Sequence, residues 1–306
     1  MTNFLRDDDL SPAAQSEVLD LAAAMKADRT GYRPLAGPLA VAVIFEKPSL
    51  RTRVSFETGI AELGGHPVII DARTTHFGRG ETLGDAARVL SRYVAAIVMR
   101  TSADSRLAEI AAGASVPVVN ALTDGFHPCQ ILADLLTVRE RFGSTAGRTL
   151  AFLGDAANNM AQSYLLGGAT AGMHVRVAGP PGFVPDEAVL KRAAAIAATT
   201  GGSVDVGENP TAAVAGADVI ATDTWTSMGQ ESEKESRKQA FEGFQVDDAL
   251  MSAAGPDARF YHCLPAYRGV EVAADVIDGP ASRVIEQAHN RLHSARGLLA
   301  FLMGVR

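Results

Sequence analysis

The segment Glu46-Lys47-Pro48-Ser49-Leu50-Arg51-Thr52-Arg53 follows a short apolar run ending at Phe45 and opens a helical pattern. Amides in the first turn of a helix lack backbone partners and carry partial positive charge, so they attract anions. Ser49 and Thr52 add hydroxyl donors, and Arg51 adds a planar fork that matches phosphate. The same residues would also make an ordinary capped helix with two solvated arginines. No P-loop and no G-x-G-x-x-G pattern is present. A second such place is Phe126-His127-Pro128-Cys129-Gln130. Pro128 suits a first helical turn, and Gln130 then lies one turn from His127 on the same side. An imidazole there, neutral or charged, can donate to a carbonyl oxygen that gains negative charge. The plainer alternative has His127 as a helix cap and Cys129 as a small buried hydrophobe. Arg100 follows the apolar run Ala95 to Met99, at the carboxyl end of an expected strand.

Three segments of the second half carry groups suited to an amine. Gly154 to Met160 includes Asn158 and Asn159, whose amides can both donate and accept to an amino-acid backbone. A helix cap would account for one Asn but not for both. Asp223 follows the apolar run ending at Ala221, where a carboxylate can pair with an ammonium group. The run Asp223-Thr224-Trp225-Thr226-Ser227-Met228-Gly229 then leads into polar residues from Gln230 to Lys238, which read as a loop able to fold over a ligand. His262 and Cys263 are neighbours, but successive side chains of a strand point to opposite faces. His262 is therefore expected to point away from Cys263, and a Cys-His dyad is not expected. No cluster with metal-ligand spacing is visible, so no metal and no cofactor is expected.

These residues need elements to place them. Ser11-Pro12 starts a helix that carries Val18, Leu21, Ala22 and Met25 on one face. Strands are expected at Leu39–Phe45, Val68–Asp71, Ala95–Met99 and Val116–Val119, with helices at Arg51–Leu63, Leu83–Tyr93 and Gln130–Arg141. After Gly143-Ser144 the rhythm restarts, with strands at Thr149–Leu153, Val175–Ala178, Asp218–Ala221 and Ala258–His262. Helices there are expected at Asn158–Leu166, Glu187–Ala198 and Ser282–Leu302. Strands alternating with helices imply α/β architecture, here two similar-sized domains, each a parallel sheet flanked by helices. The expected boundaries are 1–140, completed by a C-terminal helix 282–306 packing back on it, and 141–281. In such sheets ligands bind beyond the carboxyl ends of the strands.

Composition narrows the class. The 306 residues are 47% hydrophobic and 21% charged, with a formal net charge of -7. An acidic chain lacks the broad basic surface that nucleic-acid binding needs, although a local arginine cluster still suits a small anion. No apolar run reaches ~18 residues, so no membrane partner is expected. Two distant cysteines and an N-terminus without a basic-then-apolar leader point to a reducing, cytoplasmic location.

Phe45 to Glu57 resembles the carbamoyl-phosphate loop of the aspartate/ornithine carbamoyltransferase family, with Leu50 where a threonine is frequent. The run His-Pro-x-Gln at 127–130 is a signature of the same family, and the resemblance extends from Phe4 to the last helix. It implies that Ser49, Leu50, Arg51, Thr52, Arg100, His127, Pro128, Cys129, Gln130, Cys263, Leu264 and Arg291 bind carbamoyl phosphate. The Leu264 carbonyl would accept from the carbamoyl nitrogen. His76 stands where many members have a glutamine that completes a neighbouring subunit's site. Ser227-Met228-Gly229 matches members that act on ornithine and not those that act on aspartate. The resemblance thus implies that Asn159, Asp223, Ser227 and Met228 bind L-ornithine. Arg100, His127, Asp223 and Cys263 would be catalytic, the last two by orienting the amine. It further implies carbamoyl transfer from carbamoyl phosphate to the ornithine side-chain amine, within a homotrimer. The alternatives are a related acceptor such as N-acylated ornithine or putrescine, a nucleotide-dependent oxidoreductase, which the missing glycine fingerprint opposes, and a catalytically silent regulatory homologue.

Overall fold

The computed structural model describes residues 3–75, 80–226 and 231–305. The chain divides into two compact units, residues 1–136 with 289–306, and residues 137–288.

In the first unit, Ser11 caps α1 (Pro12–Ala27), its side chain accepting from the Ala14 amide at 3.2 Å. There follow β1 (Ala40–Phe45), α2 (Leu50–Glu62), β2 (His66–Asp71), α3 (Leu83–Leu90), β3 (Ala96–Arg100), α4 (Asp104–Gly113) and β4 (Val118–Leu122). The strands form one parallel sheet in the order β2-β1-β3-β4. Val41 to Ile44 and Ala96 to Met99 are fully buried, the near-continuous apolar runs that a sheet covered on both faces demands. The chain leaves this unit along α5 (Pro128–Phe142).

The second unit contains β5 (Thr149–Leu153), α6 (Asn159–Thr170), β6 (His174–Ala178), α7 (Glu187–Thr200), β7 (Ser203–Gly207), α8 (Pro210–Val214) and β8 (Val219–Thr222). It continues with α9 (Lys234–Ala240), α10 (Asp248–Ala254), β9 (Arg259–His262) and α11 (Ala274–Ile277). Its parallel sheet runs β7-β6-β5-β8-β9. Trp225, Phe241, Phe244 and Phe260 anchor one of its cores.

The last helix, α12 (Val284–Leu302), returns the chain to the first unit. It lies very close to α1, because a Cβ at Gly297 would stand 2.6 Å from the Val18 carbonyl oxygen. Buried Arg296 donates to the carbonyl of Met25 at 2.9 Å and pairs with Glu62 at 3.2 Å. The α/β reading with a returning helix therefore holds. The helices α4, α8, α10 and α11 and the strand β7 are not among the elements expected from the sequence; α9 stands where a loop is expected, and Arg100 is the last residue of β3 and does not follow it.

Strand order shows where chemistry can sit. In each sheet, successive connections leave in opposite directions from one pair of neighbours, β1 and β3 in the first and β5 and β8 in the second. Ligands of open α/β sheets bind outside the carboxyl ends at such reversals. Glu46 to Thr52 follows β1, and Arg100 ends β3. Gly154 to Asn159 follows β5, and Asp223 follows β8.

Candidate active site

On the first unit the anion loop is built as a helix start. Ser49 is the N-cap of α2, with φ −158°, and its hydroxyl accepts from the Thr52 amide at 3.3 Å. Thr52 is fully buried, whereas Leu50 is 74% exposed. Arg291, on α12, is buried; its Nη2 donates to Thr52 Oγ1 at 2.8 Å and its Nη1 to Gln130 Oε1 at 2.9 Å. Gln130 Nε2 donates onward to Asp134 Oδ1 at 2.8 Å. One guanidinium thus ties the loop after β1 to the first turn of α5.

His127, buried beside the start of α5, is held well below the usual imidazole range by burial first, then by the charges of Arg291, Arg100 and Arg51. At neutral pH it is uncharged, with one N–H to give. The structure thus gathers three guanidiniums around a neutral donor. Half-buried Arg51 and Arg100 with buried Arg291 suit an anion, and a phosphate is the natural one. Cys129 is packing: its thiol donates to the Asn120 carbonyl at 3.2 Å, and burial pushes it up to about 12.

Glu46 and Lys47 position this loop and are not among the site residues expected from the sequence. The Glu46 amide donates to the Arg100 carbonyl at 3.0 Å. Its carboxylate accepts from Arg106 Nη2 at 2.5 Å and from the Thr101 hydroxyl. Lys47 pairs with Asp124 at 2.9 Å. Their adjacency to the anion loop, and the opposite signs of neighbouring side chains, were the available signals.

On the second unit, β8 pairs with β9 with Thr222 opposite His262, so the next residues, Asp223 and Cys263, come side by side. Cys263 Sγ donates to Asp223 Oδ1 at 3.3 Å, and the Thr224 amide donates to the same oxygen at 2.8 Å. Burial raises the Asp223 carboxyl above its ordinary value, against the lowering effects of His262, Thr224 and Cys263.

The expected separation of His262 from Cys263 needs correction. One donor atom each from Asp223, His262 and Cys263 lie within 4.8 Å of one another, a grouping of ligand types that sequence spacing hid. Strand alternation stops applying because β9 ends at His262 and the chain turns at Leu264, whose φ is 60°. His262 is nevertheless engaged elsewhere. Its Nδ1 accepts from the Leu264 amide at 2.9 Å, so the ring proton sits on Nε2, 3.3 Å from Glu271 Oε1. Those bonds leave it neither a base for Cys263 nor a ready metal ligand.

Asn158 is the N-cap of α6, its Oδ1 accepting from the Ala161 amide at 2.8 Å, and Asn159 is the first residue of that helix. The cap therefore accounts for Asn158 and not for Asn159. Asn158 Nδ2 and Trp225 Nε1 are buried donors with no acceptor among the described residues. His76, Ser227 and Met228 lie outside the described residues.

Residues 2–140 match the carbamoyl-P binding domain of aspartate/ornithine carbamoyltransferase, and residues 146–302 match its Asp/Orn binding domain. An ornithine carbamoyltransferase of Clavibacter sepedonicus is 61% identical over 98% of each chain. Among solved structures, the ornithine carbamoyltransferase from Pyrococcus furiosus superposes with a TM-score of 0.94 at 45% identity, covering 99% of this chain and 97% of that one. An acetylornithine transcarbamylase complexed with acetylcitrulline follows at a TM-score of 0.89 and 32% identity, covering 99% of this chain and all (100%) of that one. With both domain profiles matched and such relatives along nearly its whole length, this chain belongs to the aspartate/ornithine carbamoyltransferase family.

Proposed function

We propose that the chain transfers the carbamoyl group of carbamoyl phosphate to the side-chain amine of L-ornithine, giving L-citrulline and phosphate. The observation that carries this is the pairing of chemistries. One unit gathers Arg51, Arg100 and Arg291 around neutral His127, and the other sets Asp223 beside Cys263. The 61% identity to an ornithine carbamoyltransferase supports the same acceptor.

Residues 1–140 with 282–306 bind the donor. Ser49, Leu50, Arg51 and Thr52 take the phosphate with Arg291, and Arg100, His127 and Gln130 hold the carbamoyl group, beside Pro128 and Cys129. Residues 141–281 bind ornithine through Asn159, Asp223, Ser227 and Met228, with the Leu264 carbonyl accepting from the carbamoyl nitrogen. The ornithine ammonium has a solution pKa of roughly 10 and must lose a proton before attack. Asp223 and Cys263 fix its position. The amine nitrogen bonds to the carbonyl carbon, and Arg100, Thr52 and His127 stabilise the resulting oxyanion. The carbon–oxygen bond to phosphate then breaks, and the departing phosphate takes the proton that the amine releases. The active assembly is a cytoplasmic homotrimer in which His76 completes a neighbouring subunit's site.

Initial rates with ornithine, N-acetylornithine, putrescine and aspartate test this reading. Ornithine is expected to have the highest kcat/KM by a wide margin. A higher value for any of the other three overturns it.

A further inference from the structure

Arg237 belongs to none of the motifs above. It lies on α9, within the polar stretch expected as a loop able to fold over a ligand, and its side chain is only 10% exposed. Nη1 donates to Asp155 Oδ2 at 2.7 Å and to the Trp225 carbonyl at 2.9 Å, and Nε donates to Glu233 Oε2 at 3.0 Å. The guanidinium stands over the Phe183 ring, 5.2 Å from its centroid. Phe183 packs on Phe241, and Phe241 stacks on Trp225 with ring centroids 5.4 Å apart and planes 15° from parallel.

The two groups held by Nη1 come from the two segments that leave the second sheet at its reversal point. Asp155 is two residues beyond β5, on the way to Asn158 and Asn159, and Trp225 is two residues beyond Asp223. Both segments are packed tightly. Gly154 has φ +122°, and a Cβ there would sit 3.3 Å from Trp225 Nε1. Asp155 also accepts from the Ala157 amide at 3.0 Å, which shapes the turn before α6. A planar fork can hold a carboxylate, a carbonyl and a second carboxylate at fixed angles; a lysine ammonium cannot.

We propose that Arg237 is a positioning residue for the amine substrate. It keeps the Asn158–Asn159 segment and the Asp223–Trp225 segment in register, and so sets affinity for ornithine and leaves donor binding alone. This rests on the ornithine reading above.

The test uses Arg237→Gln, Arg237→Lys and Asp155→Asn in the full-length enzyme, with initial-rate kinetics and calorimetric titration of carbamoyl phosphate. Loss of these charge-assisted bonds is expected to raise the ornithine KM about 10–100-fold in Arg237→Gln, with kcat and the carbamoyl phosphate Kd each within about threefold of wild type. Arg237→Lys should recover part of the loss, because it keeps the charge without the fork. The double variant Arg237→Gln/Asp155→Asn should cost less than the sum of its singles, as groups in direct contact do. If Arg237→Gln does not fold, the same KM-only signature is required of Arg237→Lys and Asp155→Asn. An unmoved ornithine KM, or a parallel loss of kcat and donor affinity, overturns the proposal. A wild-type enzyme that makes no citrulline defeats the ornithine reading and this inference together. A wild type that does so, with an unmoved KM in the variants, defeats the inference alone.

Discussion

On the first unit, Arg51, Arg100 and Arg291 surround His127, and a guanidinium keeps its proton at any pH in which the protein is folded. On the second, the groups that meet beyond β8 and β9 are a carboxyl, a thiol and an imidazole. Burial acts on both places with opposite results. It strips His127 of charge and so fixes a neutral donor among fixed cations. It lifts the carboxyl of Asp223 and so brings that group's charge under the control of pH. A doubly charged donor needs a cradle that never changes, whereas an amine that must shed a proton needs surroundings that respond to proton activity. The comparison predicts that donor affinity follows the first unit and that pH dependence follows the second.

The sharpest way to break this division is Arg51→Ala. Two charge-assisted bonds of about 1.5–3 kcal/mol each are at stake, so the Kd for carbamoyl phosphate should rise at least ~100-fold. Thermal unfolding should be little changed, because Arg51 lies in the first turn of α2 and only partly in the core. Calorimetric titration decides, and unchanged affinity removes Arg51 from the cradle.

Cys263→Ser addresses the other side with a smaller effect. The hydroxyl can still donate to Asp223, so turnover should fall on the order of 10–100-fold and stay measurable, with weaker ornithine binding. A nucleophile would fare worse, because serine without a base is nearly inert and His262 is engaged with Leu264 and Glu271. Mass spectrometry after incubation with carbamoyl phosphate should show no carbamoyl mass on the peptide containing Cys263. A carbamoylated Cys263 formed at the turnover rate, with parallel kinetic lines, would place covalent chemistry on the second unit.

The smallest effect is on stability, in Asp223→Asn, and is separate from the loss of amine positioning that this variant also brings. A carboxyl raised on folding binds more protons in the native state than in the unfolded chain. Stability contributed by this group is then full at low pH and falls as pH climbs from the unfolded value of 3.8 through the raised native one. The amide carries no such penalty. The variant should melt at or above wild type at pH 7.5, and the gap should shrink toward pH 4. A gap independent of pH, or a variant less stable throughout, would contradict the burial argument.

The parts of this arrangement that were legible in the sequence are those whose cause is local. Ser49, Arg51 and Thr52 stand in the first turn of a helix, and the consequence of that position follows from backbone chemistry alone. The strands of both sheets are apolar runs bounded by polar turns, so their existence was plain although their ends were not. Arg291 shows the opposite case. By pattern alone it reads as a solvated face of α12, yet Asn290, Arg291, His293, Ser294 and Arg296 are all buried there beside Leu298 and Leu299. Polar residues buried through specific partners leave no hydrophobic periodicity to read, and only the family resemblance marked this one. Asp223 and Cys263 are 40 residues apart and meet only because Thr222 pairs with His262, a register that no local rule supplies. The helices α8 and α11, of 5 and 4 residues, are too short to show a repeat. In β7 the alternating side chains of Ser203 to Gly207 stay exposed or half-buried, so the strand lacks the apolar weight of its neighbours.

Because residues 289–306 belong with residues 1–136, the second unit is an insertion within the first. A ribosome therefore releases the whole of the contiguous unit before it releases the last piece of the interrupted one. Until α12 emerges, Thr52 Oγ1 and Gln130 Oε1 have no Arg291 to receive from, and the face of α1 around Val18 and Ala22 has no Gly297 to close against. The nascent chain can complete its later-encoded sheet while its earlier-encoded one still waits for a wall. A chain cut short before residue 289, by a premature stop or a protease, loses the seal on the oldest part of the polypeptide and leaves the younger insert whole.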